Sequence, residues 1–232
     1  MKVGVINFSG NVGKSTVARH LLAPRMNDAR IIAVESINSD GTEDDAIRGK
    51  QFGELSEALS VLDDVVVDIG ASNVEEFVGR MKQYRGSHDD FDYFVVPTVG
   101  KQKQQRDTIS TIDALAEIGV PATKIRVVFN MVELDEVLER LFSGLFEYHA
   151  EEQSFTLRSD AVIHTNDIYG KLRGSDQTIA EILADQTDLK AMLKAASDAD
   201  EKLRISRLIG VKRLAAGVSE ELDAVFHSLL SK

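Results

Sequence analysis

At 232 residues and 43% hydrophobic content, the chain carries enough apolar material for one sizeable α/β core, or for a domain with a small appendage. The absence of cysteine excludes a disulfide framework, a thiolate zinc site and a cysteine-ligated iron–sulfur cluster, and fits a reducing cytoplasm. A formal net charge of -11 opposes general affinity for nucleic acid, so any contact with DNA must be local, and no stretch approaches the roughly 18 apolar residues of a membrane span. A soluble cytoplasmic protein is expected.

Met1 to Ile6 has the β-branched content of a buried strand, and Val17, Ala18, Leu21 and Leu22 have the spacing of an amphipathic helix that ends at Pro24. Arg30 to Glu35 reads as a second strand and Ser36 to Asp45 as polar and irregular. Phe52, Leu55, Leu59 and Leu62 mark a helix, followed by a strand over Asp64 to Ile69. Gly70 to Asn73 turns the chain, with Asn73 as cap of a helix reaching about Tyr84. A fourth strand over Phe91 to Val96 is ended by Pro97. A helix over Gln104 to Ile118 stops at Gly119 and Pro121, and Lys124 to Phe129 forms a fifth strand. Leu134 to about Ala150 reads as a helix, Ala161 to His164 as a sixth strand with a further one at Ser154 to Leu157, and the chain from Gln177 onward as helical only. Strands alternating with helices imply a three-layer, doubly wound, mostly parallel sheet whose ligands bind at the carboxyl ends of the strands. The expected organisation is an α/β domain over residues 1–170, with C-terminal helices over 171–232 packed on it.

The stretch that carries chemistry is Asn7 to Thr16, between the first strand and its helix. Gly10 and Gly13 let the backbone of Ser9, Gly10, Asn11, Val12 and Gly13 curl so that successive N–H groups face one concavity, and the helix starting near Thr16 adds the positive end of its dipole. Lys14 can reach the β and γ phosphates of a nucleotide there, and the Ser15 hydroxyl is placed to ligate magnesium. The match to a phosphate-loop pattern is not strict, because Phe8 stands where the first glycine would fall.

Residues after the other strands should border this loop. Asp68, preceded by three valines, has the pattern of a Walker B aspartate that holds magnesium through its water shell. Gly70 either makes the turn or offers its N–H to a γ-phosphate as a switch segment does. Glu35 is a candidate to position an attacking water, Asp40 a weaker one. Asn130 either turns the chain or presents donor and acceptor to a purine edge, and His164, Thr165, Asn166 and Asp167 could shape the base pocket.

In order, Ser9-Gly10-Asn11-Val12-Gly13-Lys14-Ser15, Val34-Glu35-Ser36, Val67-Asp68-Ile69-Gly70-Ala71 and Phe129-Asn130 resemble the deviant Walker ATPases of the ParA/MinD superfamily, and within it the StbB-type plasmid-stability ATPases. The resemblance implies ATP or ADP with Mg2+ as ligands, contact of Asn130 with adenine, and a nucleotide-dependent homodimer that positions or partitions plasmid DNA through a DNA-binding adaptor. A role in conjugative transfer is a variant of the same reading. Two departures stand out. Ser9 and Asn11 replace the lysine and second glycine of the superfamily loop, and Glu35-Ser36-Ile37 keeps one carboxylate of an Asp-x-Asp pair. Serine can neither span a dimer interface nor neutralise a phosphate. The expectation is a nucleotide-binding ATPase whose hydrolysis is slow or depends on a partner's cation, with Lys14, Glu35 and Asp68 as the catalytic set.

The helical tail interleaves Lys202, Arg204, Arg207, Lys212 and Arg213 with apolar residues, a pattern that either contacts DNA phosphates or forms the solvated face of a packed helix. Leu222, Val225, Phe226, Leu229 and Leu230 form an apolar stripe beyond it. Two other functions compete with the switch: a nucleotide-binding scaffold that never hydrolyses, and a small-molecule kinase or ligase of the dethiobiotin-synthetase type.

Overall fold

The computed structural model describes residues 1–35, 46–48 and 52–230, with Glu35 and Ala46–Arg48 as backbone only. It comprises two compact units, Met1–Thr165 with Val225–Lys232 and Asn166–Ala224.

The first unit is built on a seven-stranded sheet in the order β3-β2-β4-β1-β5-β6-β7. The strands are β1 (Lys2–Val5), β2 (Arg30–Glu35), β3 (Ala46–Arg48), β4 (Val65–Ile69), β5 (Tyr93–Thr98), β6 (Ile125–Val132) and β7 (Val162–His164). Every pairing is parallel. The doubly wound parallel sheet read from the alternation of strands and helices is therefore the observed one, with the short β3 added at the edge beside β2. The expected strand at Ser154 to Leu157 is reduced to a bridge between Arg126 and Thr156.

Parallel strands are apolar on both faces, since each face is covered. On one face Val65, Val67, Ile69, Phe94, Val96, Ile125, Val127 and Phe129 share a buried cluster with α2 (Phe52–Val61), α3 (Val74–Gln83) and α4 (Gln102–Glu117). The alternate residues Val3, Val5, Val66, Val95 and Val128 are buried on the other. Gly4 belongs to the first face, where a Cβ would come within 3.0 Å of the Phe94 ring, so the small residue makes room for the large one.

Three boundaries differ from the sequence reading, each for a local reason. Pro97 does not end β5 but lies inside it. Val95 accepts the Ile6 N–H, and Phe94 donates to Lys124, so alternate residues of β5 face β1 and β6. Pro97 faces the β1 side beyond the last residue of that strand, where no ladder donor is required. Asn73 does not cap α3 with its side chain; its Nδ2 donates instead to the Val34 carbonyl at 3.0 Å, tying β4's turn to β2. The helix expected over Leu134 to Ala150 is split into α5 (Leu138–Leu141) and α6 (Ser143–Glu152), with Phe142 between them. Leu134 is 83% exposed and Val137 62%, so the first residues of the expected helix face solvent in a loop.

The helix after the first loop is also unusual. Its α-helical part, α1 (Lys14–Thr16), passes into a widened π-helical turn over Val17–Leu22, and a 3-10 turn over Ala23–Arg25 contains Pro24. His20 in this segment is buried, and that burial, followed by the charge of Arg19, pulls its pKa down to about 4. Unfolded, His20 takes up its proton near pH 6.5; folded, it does so near pH 4. Between those values the unfolded chain holds the extra proton, so stability falls as pH drops. The expected loss on acidification from pH 7 to 4.5 is about 2–3 kcal/mol greater for the wild type than for His20→Gln. Urea unfolding of both proteins at the two pH values checks it.

The second unit contains α7 (Asp167–Leu172), α8 (Ile179–Ala184), α9 (Leu189–Ala195) and the part of α10 (Ala199–Leu230) that precedes Val225. α8 begins with a full capping box between Thr178 and Glu181, and α9 with Asp188 accepting from the Ala191 N–H. Lys202, Arg204, Arg207 and Arg213 are exposed, whereas the Lys212 ammonium donates to the Asp185 carbonyl. In the apolar stripe Leu222, Val225 and Leu229 are buried. No helix among the described residues is long and apolar enough to cross a membrane.

Candidate nucleotide-binding site

β1 ends at Val5, level in register with Asp68 of β4 and Val95 of β5, so the loop that leaves it emerges between two neighbouring strand ends. Asn7 directs that exit. Its side chain is fully buried, with Nδ2 donating to the Pro97 carbonyl at 2.9 Å and to Thr108 Oγ1 at 2.8 Å, while its Oδ1 accepts from the Ser9 N–H at 2.7 Å. The Phe8 N–H donates to Thr111 Oγ1 at 3.0 Å, and the hydroxyls of Thr98 and Thr108 lie 3.0 Å apart. The start of the loop is thus stitched to β5 and α4 by buried polar groups whose hydrogen bonds are made. Sequence reading gave these threonines no role. The available signal was their spacing: Gln105, Thr108, Ile112 and Leu115 share a helix face, so polar residues recur on an otherwise buried side of α4.

Gly10 and Asn11 are exposed at the tip, and Asn11 takes a left-handed φ of 57°. Val12 is buried, and Gly13 follows with a φ of 86° as the N-cap of α1. A glycine cap has no side chain to accept from the first helical N–H groups, and none of the first-turn residues is acidic. The first-turn donors are therefore left to an external acceptor, at the positive end of the helix dipole. Ser15 is exposed and Thr16 half-buried at the mouth of this cradle.

Lys14 lies beneath the loop, 8% exposed, its Nζ donating to the carbonyls of Asn7 at 3.1 Å and Ser9 at 2.8 Å. Burial pushes its pKa down, and the nearby charge of Asp68 partly opposes that shift. The ammonium and the expected metal-binding carboxylate therefore share one electrostatic neighbourhood. Ser9 is buried, 4% exposed, and its backbone carbonyl accepts from Lys14. Gly70 is half-buried, its N–H donating to Val34 O at 3.0 Å, and a Cβ there would lie 3.1 Å from that oxygen.

Other expected residues fall as follows. Asn130, near the end of β6, is 3% exposed and donates from Nδ2 to the Val12 carbonyl at 2.8 Å. His164 ends β7, the outermost strand beyond β6, and is half-buried. Glu35 closes β2; its side chain, with Ser36, Asn38 and Asp40, lies outside the described residues. Among the described residues no group of three His, Cys, Asp or Glu side chains is placed to hold a metal ion. At the carboxyl end of β5 and β6 a groove of about 720 Å³ runs between α4 and α5, lined by Ile109, Val137 and Leu141 with Arg106, Arg140, Asp135 and Glu136. Gln105 braces its walls, its Nε2 donating to the carbonyls of Gly100 and Leu141 at 2.9 Å each.

Together the sheet and loop define a class: a doubly wound parallel α/β protein with a glycine-capped loop between its first strand and helix. No family model matches the chain, and no curated protein does. Solved structures do. The chain is similar to an ATP complex of a McdA variant from Cyanothece, at 10% identity over 96% of each chain with a TM-score of 0.48. It is similar to a plasmid partition protein from Borrelia burgdorferi bound to AMPPNP, at 10% identity over 90% of this chain and 97% of that one, TM-score 0.49. It is also similar to pNOB8 ParA bound to nonspecific DNA, at 11% identity over 96% and 97%, TM-score 0.42.

Proposed function

We propose that the chain binds ATP with magnesium at Ser9 to Thr16 and works as a nucleotide switch of the ParA/MinD type, in plasmid stability or partition, through a DNA-binding adaptor. The observation that carries the nucleotide reading is the left-handed, side-chain-free cap at Gly13 above the buried Lys14 ammonium. Free helix-start amides and a cation converging on one concavity suit a polyphosphate. Lys14 would release the two carbonyls and turn to the β and γ phosphates. Ser15 and Asp68 suit a magnesium ion there by type and place: Ser15 is exposed at the helix start, and Asp68 pairs in register with Val5 at the end of β1. Magnesium would supply charge neutralisation of the phosphates. Gly70, whose N–H is held by Val34, would have to release that bond to act as a switch.

Hydrolysis by the isolated chain is proposed to be slow. The buried Ser9 carries no charge, so it offers no cation to a second nucleotide. The exposed Lys202, Arg204, Arg207 and Arg213 are the proposed local contact to DNA phosphates in a protein of net charge -11. The groove of about 720 Å³, with Asp135 and Glu136 on its rim, is the one observation that favours a small-molecule kinase instead, since such an enzyme needs an acceptor pocket with a base.

Light scattering of the protein alone, with Mg-ADP and with a non-hydrolysable Mg-ATP analogue, together with phosphate release, separates these readings. The switch is expected to dimerise with the analogue and to release phosphate slowly. A monomer in all three conditions would refute the switch, brisk release would refute the slow-hydrolysis reading, and complete absence of release would leave the scaffold.

A further inference from the structure

The side chain of Asn130 is oriented toward the loop, and the consequences of that orientation go beyond a base contact. Its Nδ2 donates to the Val12 carbonyl at 2.8 Å, and a Cβ on residue 13 would stand 2.1 Å from the same nitrogen, so the amide fills the space directly against Gly13. The strand is adapted to this placement. The pairing of β6 with β7 shifts register between Asn130 and Val132, and the intervening Met131 takes a left-handed φ of 57° and is half exposed. Such a bulge re-aims the side chains on either side of it.

In a trans peptide the carbonyl of one residue and the N–H of the next point in opposite directions. Fixing the Val12 carbonyl on Asn130 therefore fixes the Gly13 N–H away from Asn130, toward the open side of the loop. We propose that Asn130 is a positioning residue for the phosphate loop: it sets the Val12–Gly13 peptide so that the Gly13 N–H faces bound phosphate, and it does not read the base. This rests on the proposed nucleotide site. It assigns Asn130 an effect that is the same for every ligand carrying the same phosphates.

The test is calorimetry of the wild type, Asn130→Ala and Asn130→Asp with Mg-ATP, Mg-GTP and inorganic tripolyphosphate, with the Gly13 amide followed by 15N NMR. Removing one buried hydrogen bond is expected to weaken all three ligands alike, by about tenfold. In Asn130→Asp a carboxylate of the same size faces the Val12 carbonyl and repels it, so the same uniform loss is expected in a variant that leaves no cavity. The Gly13 amide signal should move on tripolyphosphate addition in the wild type and move less in both variants, while Gly119, remote from the loop in sequence, serves as the unmoved reference.

A base-reading asparagine behaves differently. Asn130→Ala would then lose ATP affinity with tripolyphosphate unchanged, or Asn130→Asp would turn preference toward GTP; either result overturns the proposal, as does unchanged binding of all three ligands. A wild type that binds none of the three overturns the nucleotide site itself, an outcome distinct from any pattern in the variants.

Discussion

Lys14→Ala is expected to weaken Mg-ATP binding by about a hundredfold while leaving the fold intact. A hydrogen bond to a charged group contributes up to about 3 kcal/mol, which corresponds to about two decades of affinity. The phosphate loop offers no second cation to compensate, because Ser9 is buried and Asn11 is neutral. Stability should fall by about 1–3 kcal/mol: burial opposes the Lys14 charge, but removing it leaves the Asn7 and Ser9 carbonyls without their donor. Calorimetry with Mg-ATP and a thermal melt read the two quantities separately. Binding unchanged from wild type would mean that nucleotide is held elsewhere.

Gly13→Ala should be the most damaging glycine-to-alanine substitution among the described residues. The added methyl would sit 2.1 Å from Asn130 Nδ2 at a backbone φ of 86°, so it meets a buried amide and a conformation that L side chains avoid. Backbone strain of about 1–3 kcal/mol and the displaced hydrogen bond together cost about 3 kcal/mol. For a chain of this size that lowers Tm by about 10 °C. Gly10→Ala is the matched control: nothing lies within 4 Å of its Cβ position, so it should melt within about 2 °C of wild type. Equal melting of the two variants would refute the tight approach of Asn130 to the loop.

Much of the sheet was legible because a buried parallel strand has an unbroken apolar run with polar ends. Arg30–Glu35 is a strand over the full expected span, and the valines before Asp68 form β4 as anticipated. The glycine-lysine-serine run was legible for a different reason, since a helix start capped by glycine needs few residues to declare itself. Pairings that depend on a partner distant in sequence were not legible. Pro97 looked like a terminator because a proline lacks a donor, and only the end of β1 beside it reveals that no donor is wanted. Asn73 looked like a cap because an asparagine's reach says nothing about which carbonyl lies within it; the structure supplies Val34. The helix read over Leu134 to about Ala150 starts too early because apolar content does not distinguish a packed face from a solvated loop.

The anchoring of Asn7, Phe8 and Val12 to Pro97, Thr108, Thr111 and Asn130 has a last consequence. The curvature of the loop is imposed from outside by two further strands and a long helix, so its shape belongs to the tertiary structure and not to a portable ten-residue cassette. That is how a segment with a phenylalanine in place of a customary glycine can still keep its curl: the scaffold supplies the constraint that local flexibility would otherwise have to accommodate.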